Sequence, residues 1–141
     1  MTRTEIKNKL IDCLIERDEI VFAYLFGSFL KTDDYHDIDI AVFISDRFLK
    51  DNSGEFTFGY ESLIAGSIIK VMNMNKIDVV LLNNAPLLIT NRIINKGELL
   101  FEKDRFKRIA FENYYRKLFI DTENFRKIKT YYLKNKINKN A

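Results

Sequence analysis

Residues 37–44 read DIDIAVFI, and this short stretch predicts where the sheet and the candidate site lie. Aliphatic residues occupy its second, fourth, sixth and eighth positions, and this period-two alternation is typical of a β-strand. Because side chains i and i+2 of a strand point to the same face, Asp37 and Asp39 are expected to lie side by side. Two adjacent carboxylates repel each other unless a positive charge lies between them. The stretch therefore predicts a strand with an acidic pair at its N-terminal end.

The chemistry of this acidic pair favours a hard divalent cation. Carboxylate oxygens suit Mg²⁺ or Mn²⁺ better than they suit zinc. The chain has one histidine and one cysteine, Cys13, so it can form neither an internal disulfide nor a conventional zinc site. Two solvated acids at the mouth of a strand give the same sequence pattern. The pair of Asp37 and Asp39 alone therefore leaves both interpretations open.

Two other stretches supply further candidate residues. Residues 20–26, IVFAYLF, read as a buried strand that stops at Gly27-Ser28. A helical turn after such a strand offers backbone N–H groups and a hydroxyl to phosphate oxygens. Residues 76–82, KIDVVLL, read as another strand with a single acid, Asp78, among apolar residues. An acid in a core-type strand needs a partner or a metal, so both stretches strengthen the interpretation of the pair as a site.

These motifs, in this order, carry a family resemblance. Gly27-Ser28, then Asp37-Ile38-Asp39, then Asp78 on a later strand resemble the nucleotidyltransferases of the polymerase-β superfamily. Within it, the chain is most similar to the minimal nucleotidyltransferases that serve as antitoxins to HEPN ribonuclease toxins. The resemblance spans about residues 20–102. It implies an α/β (α+β) fold with a small mixed sheet flanked by helices, and a single minimal domain over residues 1–141.

The resemblance also implies a role for each motif residue. The catalytic and metal-binding carboxylates would be Asp37, Asp39 and Asp78. The phosphate-binding residues would be Gly27, Ser28 and Lys31. The implied cofactor is a pair of Mg²⁺ or Mn²⁺ ions, and the implied substrate is ATP. The implied reaction transfers AMP to a tyrosine of a cognate HEPN toxin, so the expected partner is that protein and direct nucleic-acid binding is not expected.

The sequence departs from the family pattern near the phosphate-binding turn. The segment between Ser28 and Asp37 has eight residues, which is shorter than is typical of the antitoxins. Lys31 stands where the family often has arginine, so it keeps the positive charge but loses the bidentate fork. His36 stands where the family usually has serine. These departures bear on triphosphate binding, whereas all three carboxylates are retained, so we expect an active enzyme.

Periodicity and turn residues predict the other elements. Helices are expected over about 4–18, 61–72 and 86–97, a short strand over 98–102, and helical structure over about 104–136. The last segment is compatible with one helix or with two that meet near Asp121-Thr122. Residues 45–54 contain charges and an Asn-Ser-Gly turn, and are predicted to form a mobile loop. The apolar stripe from Phe111 to Tyr132 is expected to pack on the chain's own domain, and the alternative is that it forms a docking surface for a partner.

Charge is unevenly distributed along the chain. Residues 1–102 carry 11 Lys/Arg and 16 Asp/Glu, whereas residues 103–141 carry 12 Lys/Arg and 4 Asp/Glu. A basic C-terminal segment on an acidic body suggests an anionic partner, either protein or nucleic acid. The charged N-terminus does not resemble a signal peptide, and no run of apolar residues is long enough to span a membrane. A cytoplasmic location is therefore expected.

Two alternatives to protein adenylylation remain at this stage. The chain could be an antitoxin that blocks its toxin by binding alone, without catalysis. It could also transfer a nucleotide to RNA or to a small molecule, although such enzymes usually add a domain for their acceptor. An Asp39→Ala variant separates the first alternative from catalysis, because a binding-only antitoxin does not need this carboxylate.

Overall fold

The computed structural model describes residues 1–34, 37–52, 59–74 and 76–139. Helices and strands alternate along most of this length. In chain order the elements are α1 (Arg3–Ile15), β1 (Ile20–Phe26), α2 (Ser28–Lys31), β2 (Ile38–Ile44), α3 (Asp46–Asp51), α4 (Tyr60–Met72), β3 (Ile77–Leu81), α5 (Leu87–Lys96), β4 (Glu98–Glu102), α6 (Arg105–Asp121) and α7 (Glu123–Lys139). All four predicted strands are confirmed.

The four strands form one mixed sheet in the order β3-β2-β1-β4. β1 runs antiparallel to both β2 and β4, whereas β2 and β3 are parallel. The parallel pair needs a crossover connection, and α4 supplies it between β2 and β3. The expected small mixed sheet flanked by helices is therefore confirmed.

The alternation along β2 divides the hydrophobic core into two parts. The four isoleucine and valine side chains of β2 pack with residues of α1 and α4, among them Leu10, Leu14 and Ile64. The intervening residues Ala41 and Phe43 pack on the opposite face, with residues of α5 and α6. Side chains two residues apart share a face, so Asp39 lies on the same face of the sheet as Ala41. The alternation that buries β2 thus sets the orientation of the acid.

Polar side chains fix the starts of several helices. Thr2 caps α1 by accepting a hydrogen bond from the Glu5 N–H, and the Glu5 carboxylate accepts in turn from the Thr2 N–H. Ser45 caps α3 by accepting from the Phe48 N–H at 3.3 Å. The predicted mobile loop over residues 45–54 is therefore wrong for Asp46–Asp51, which are helical because this cap and the packing of Phe48 on the core stabilise them. Residues 53 and 54 lie outside the described part of the chain.

A buried carboxylate attaches α6 to the sheet. Glu112 is 8% exposed and accepts a hydrogen bond from the Tyr24 hydroxyl of β1. The Arg108 guanidinium lies 3.0 Å from Glu112 and also bonds Glu102 of β4, while Arg116 lies 3.6 Å from Glu112. Burial, followed by the hydrogen bond to Glu112, raises the pKa of the Tyr24 hydroxyl well above its ordinary value. This network joins α6 to two strands.

The C-terminal stripe packs on the domain only in part. Phe111 packs against the second core, as predicted. Tyr114, Phe125, Ile128 and Tyr132 are instead 62%, 73%, 52% and 68% exposed. The physical reason is that α6 ends at Asp121 and α7 begins at Glu123, and the main packing contacts of α7 among the described residues are with α6. The break near Asp121-Thr122 agrees with one of the two arrangements compatible with the sequence.

α4 buries Tyr60, Ile64, Ile68 and Met72, at intervals of four residues. None of the helices in the described ranges is both long and apolar enough to cross a bilayer.

Candidate active site

Pairing between strands brings two of the predicted carboxylates together. Asp39 of β2 is the register partner of Asp78 in the parallel neighbour β3. Directly paired residues of adjacent strands point to the same face, so the two carboxylates are neighbours. Asp37 comes immediately before β2, two residues from Asp39. On its other side Asp39 pairs with Phe26, the last residue of β1. The acids therefore lie beside the turn that follows β1.

The electrostatics of Asp39 reflect this crowding. Burial raises the pKa of its carboxyl, and the negative charges of Asp78 and Asp37 raise it further. Burial disfavours a charged carboxylate, and like charges nearby disfavour it again. A cation placed among these oxygens would reverse both effects. The direction of the pKa shift thus agrees with a site suited to a divalent ion.

Gly27 lies directly against the carboxylate of Asp39. Its φ is +84°, a left-handed conformation that side chains rarely adopt, and a Cβ built there would lie 2.1 Å from Asp39 Oδ2. Only glycine fits this position. The chain then turns into α2, which carries Ser28 and Lys31, as the strand-to-turn pattern predicted.

A single cavity of about 850 Å³ connects these residues. It contains five of the six predicted site residues, namely Gly27, Ser28, Lys31, Asp39 and Asp78. Asp37 does not line the cavity. Its negative charge raises the pKa of Asp39, which does line the cavity. His36 lies outside the described residues.

Sequence analysis missed the wall of the cavity that α5 contributes. This wall consists of Ile89, Arg92, Ile93 and Lys96, which line the same cavity as Leu30 and Lys31 of α2. The only sequence signal is the spacing of Arg92 and Lys96, which puts two cations on one face of a helix. Nothing in the local sequence indicates that this face meets the acidic residues of β2 and β3.

The donor chemistry of the site fits a hard cation. Asp39 and Asp78 supply adjacent carboxylate oxygens, and Asp37 lies within electrostatic reach of Asp39. Across the described ranges, no three His, Cys, Asp or Glu side chains already converge closely enough to hold a metal ion. The assignment of Asp37, Asp39 and Asp78 as ligands of two ions stays a prediction.

Solved structures share this fold. One chain of a tri-AMPylated Shewanella oneidensis HEPN toxin in complex with MNT antitoxin aligns over 92% of this chain and 99% of its own length, with a TM-score of 0.62 and 19% identity. The toxin-antitoxin MntA-HepT gives a TM-score of 0.60 and 19% identity, covering 91% of this chain and 99% of that chain. A toxin-antitoxin structure with AMP-PNP gives 0.62 and 20% identity, covering 88% and 98%. At sequence identities this low, the similarity shows that this chain shares the fold of these structures and no more.

The family follows from the sequence itself. No curated protein matches this chain. Residues 8–106, however, match the family described as polymerase beta, nucleotidyltransferase. This match covers more than half of the chain and includes the glycine-serine turn and all three acids. The chain therefore belongs to the polymerase β nucleotidyltransferase family, as its motifs had indicated.

Proposed function

We propose that this protein is an antitoxin that transfers AMP from ATP to a tyrosine of a HEPN toxin and thereby neutralises the toxin. The observation that carries the proposal is the in-register pair of Asp39 and Asp78 beside Gly27, in one cavity with Ser28 and Lys31. This arrangement puts two carboxylates next to a glycine-serine turn, and we propose that the carboxylates bind metal ions and that the turn binds phosphate. That combination is what nucleotidyl transfer requires, because the protein mainly positions reactants and offsets charge.

In the proposed reaction the tyrosine hydroxyl oxygen attacks the α-phosphorus of ATP. The new oxygen–phosphorus bond forms as the bond from the α-phosphorus to the bridging oxygen breaks, and pyrophosphate leaves with that oxygen. The Asp78 carboxylate accepts the hydroxyl proton. Gly27, Ser28 and Lys31 orient the β- and γ-phosphates. Bound Mg²⁺, held by Asp37, Asp39 and Asp78, would activate the hydroxyl and stabilise the leaving group.

A protein acceptor is supported by two observations. Solved structures with this fold include complexes of an MNT antitoxin with a HEPN toxin, one of which is tri-AMPylated. The chain itself exposes large side chains on α7, which we call the α7 surface: Phe125, Ile128, Tyr131, Tyr132, Leu133 and Ile137. Exposed aromatic residues among basic ones are typical anchors of protein interfaces. We propose that the toxin binds this surface.

The test is the intact mass of a HEPN toxin encoded beside this gene, after incubation with this protein, ATP and Mg²⁺. We expect the toxin to gain one or more AMP units. Asp39→Asn should abolish the gain. Asp12→Asn is the matched control, since it makes the same chemical change on the exposed face of α1, away from the cavity, and should leave the transfer intact.

Other outcomes would contradict the proposal in distinct ways. A stable complex without any mass change, with neutralisation retained by Asp39→Asn, would identify a binding-only antitoxin. The absence of both complex and mass change, with label from ATP appearing on RNA or a small molecule, would place the acceptor elsewhere.

A further inference from the structure

The α5 wall of the cavity carries two cations that have no partner among the residues that the structure describes. Arg92 and Lys96 lie four residues apart in α5, are exposed, and line the same cavity as Asp39 and Asp78. Among the described residues, neither side chain makes a hydrogen bond or an ion pair. Their charge is therefore available to a ligand in the cavity.

Most of the other basic side chains near the sheet already pair with glutamate side chains. Arg108 and Arg116 contact Glu112, and Lys7 bonds Glu98 at 2.8 Å. The neighbouring face of α5 is also used, because the Asn95 amide donates to Asn91 and Arg116 donates to Asn95. α5 thus packs one polar face against α6 and leaves its cationic face to the cavity.

A charge count indicates what that face binds. A triphosphate brings roughly four negative charges to a site whose three acids add three, and two divalent ions offset about four of these seven. The remainder equals the combined charge of Lys31, Arg92 and Lys96, the three cations of the cavity lining. Most of the remaining lining is apolar, with Phe26, Leu30, Val79 and Val80 on the sheet and α2 side, and it cannot satisfy phosphate oxygens.

We propose that Arg92 and Lys96 of the α5 wall bind the triphosphate of the nucleotide together with Lys31 of α2, as positioning residues for the leaving pyrophosphate. This inference rests on the proposed function. Arg92 supplies a planar fork that suits two phosphate oxygens, which compensates for the single point charge of Lys31 on the other wall. The two walls together hold the triphosphate across the carboxylates.

Binding of AMP-PNP and of AMP to the full chain tests this inference without turnover. Calorimetry with Mg²⁺ should show that Arg92→Ala combined with Lys96→Ala weakens AMP-PNP binding by about tenfold or more. The affinity for AMP, which lacks the β- and γ-phosphates, should change by no more than about twofold. Arg92→Lys should be intermediate. Lys70→Ala, which removes an exposed cation from the last turn of α4, is the matched control and should bind both ligands as wild type does.

The possible results distinguish a failure of this inference from a failure of the proposed function. If the wild-type chain binds no AMP-PNP with Mg²⁺, the proposed function fails and this inference fails with it. If the wild type binds and the double variant binds equally well, only the inference is overturned. An unchanged AMP-PNP affinity together with a raised KM for the toxin would assign the two cations to the acceptor instead. The melting temperatures of all variants should match the wild type, because the substituted side chains are exposed.

Discussion

At the level of single residues, Gly27 is where the site tolerates no side chain at all. A methyl group there would overlap Asp39 Oδ2, and the backbone φ of +84° disfavours any residue but glycine. We expect Gly27→Ala to lower the free energy of unfolding by about 1–3 kcal/mol and to abolish AMP-PNP binding. Urea denaturation and calorimetry measure the two effects.

Gly66 provides the matched control for this substitution. It lies within α4, and a Cβ at this position would meet no atom within 4 Å. Gly66→Ala should therefore raise the free energy of unfolding by about 0.5–1 kcal/mol, because alanine restricts the unfolded chain more than glycine does. Equal effects of the two substitutions would contradict the close contact between Gly27 and Asp39.

Asp39 makes stability depend on pH in a direction that its surroundings determine. Burial, Asp78 and Asp37 raise the pKa of Asp39 in the folded state above its value in the unfolded chain. The folded state therefore binds the proton more tightly, and the stability that protonation contributes is lost as pH rises through the folded-state pKa. At neutral pH the ionised carboxylate opposes folding.

We therefore expect Asp39→Asn to raise the melting temperature at pH 7.5 in the absence of divalent ions. The difference should vanish below the ordinary carboxyl pKa, where Asp39 is neutral in both states. Thermal melts at several pH values measure this. Addition of Mg²⁺ should stabilise the wild type more than the variant, and a variant less stable than wild type at neutral pH without metal would show that the acids do not repel each other.

At the level of elements, α6 depends on one buried charge. Glu112 accepts from Tyr24 and lies against Arg108 and Arg116, so its removal would leave these partners without their carboxylate. We expect Glu112→Ala to lower the free energy of unfolding by about 2–3 kcal/mol, since the buried Tyr24 hydroxyl loses its acceptor while Arg108 keeps only Glu102. Chemical denaturation measures the loss.

Glu123→Ala is the comparison for Glu112. Glu123 is about half exposed and pairs with Lys127 at 3.4 Å on the surface of α7. Its loss should change stability by no more than about 0.5 kcal/mol, because solvent screens such pairs. A similar cost for both substitutions would mean that the network around Glu112 does not anchor α6.

The elements also show what local sequence can and cannot predict. The strands were predictable because burial determines the order of apolar residues along a strand. A strand buried on both faces, such as β1, is a continuous apolar run, and β2 shows the alternation of apolar residues that marks a buried face. α3 was missed because its six residues are too few to show a helical period, and its formation depends on the cap at Ser45 and on the packing of Phe48. The exposure of α7 was missed because an apolar stripe looks the same whether or not another surface covers it.

At the level of the whole molecule, the site combines residues that are far apart in sequence. The resemblance to the family identified Gly27, Ser28, Lys31, Asp39 and Asp78, which the cavity brings together. Arg92 and Lys96 could not be predicted, because their place in the cavity depends on how α5 packs on the sheet rather than on any motif. A tertiary contact of this kind leaves no periodic signal in the sequence.

Basic and acidic residues are distributed unevenly over the whole molecule, and this distribution affects how fast a charged partner binds. Residues 125–141 contain six Lys or Arg and no Asp or Glu, whereas residues 1–102 are net negative. The acidic body would repel an acidic partner, so attraction has to come from the C-terminal segment. We propose that this segment, which includes the α7 surface, steers an acidic face of the toxin into place.

The measurable consequence is a salt-dependent association rate. We expect the rate constant for toxin binding to fall about tenfold or more between roughly 20 and 200 mM NaCl, with a much smaller change in dissociation, because steering acts before contact. A chain ending at Asn124 should associate slowly at every salt concentration, with a flattened salt dependence. It should keep its affinity for AMP-PNP, since none of the residues that line the cavity of the candidate site lies in α7. If the truncated and full chains bind the toxin with the same rate constant and the same salt dependence, the α7 surface is not the docking site, and the toxin must approach the acidic body directly.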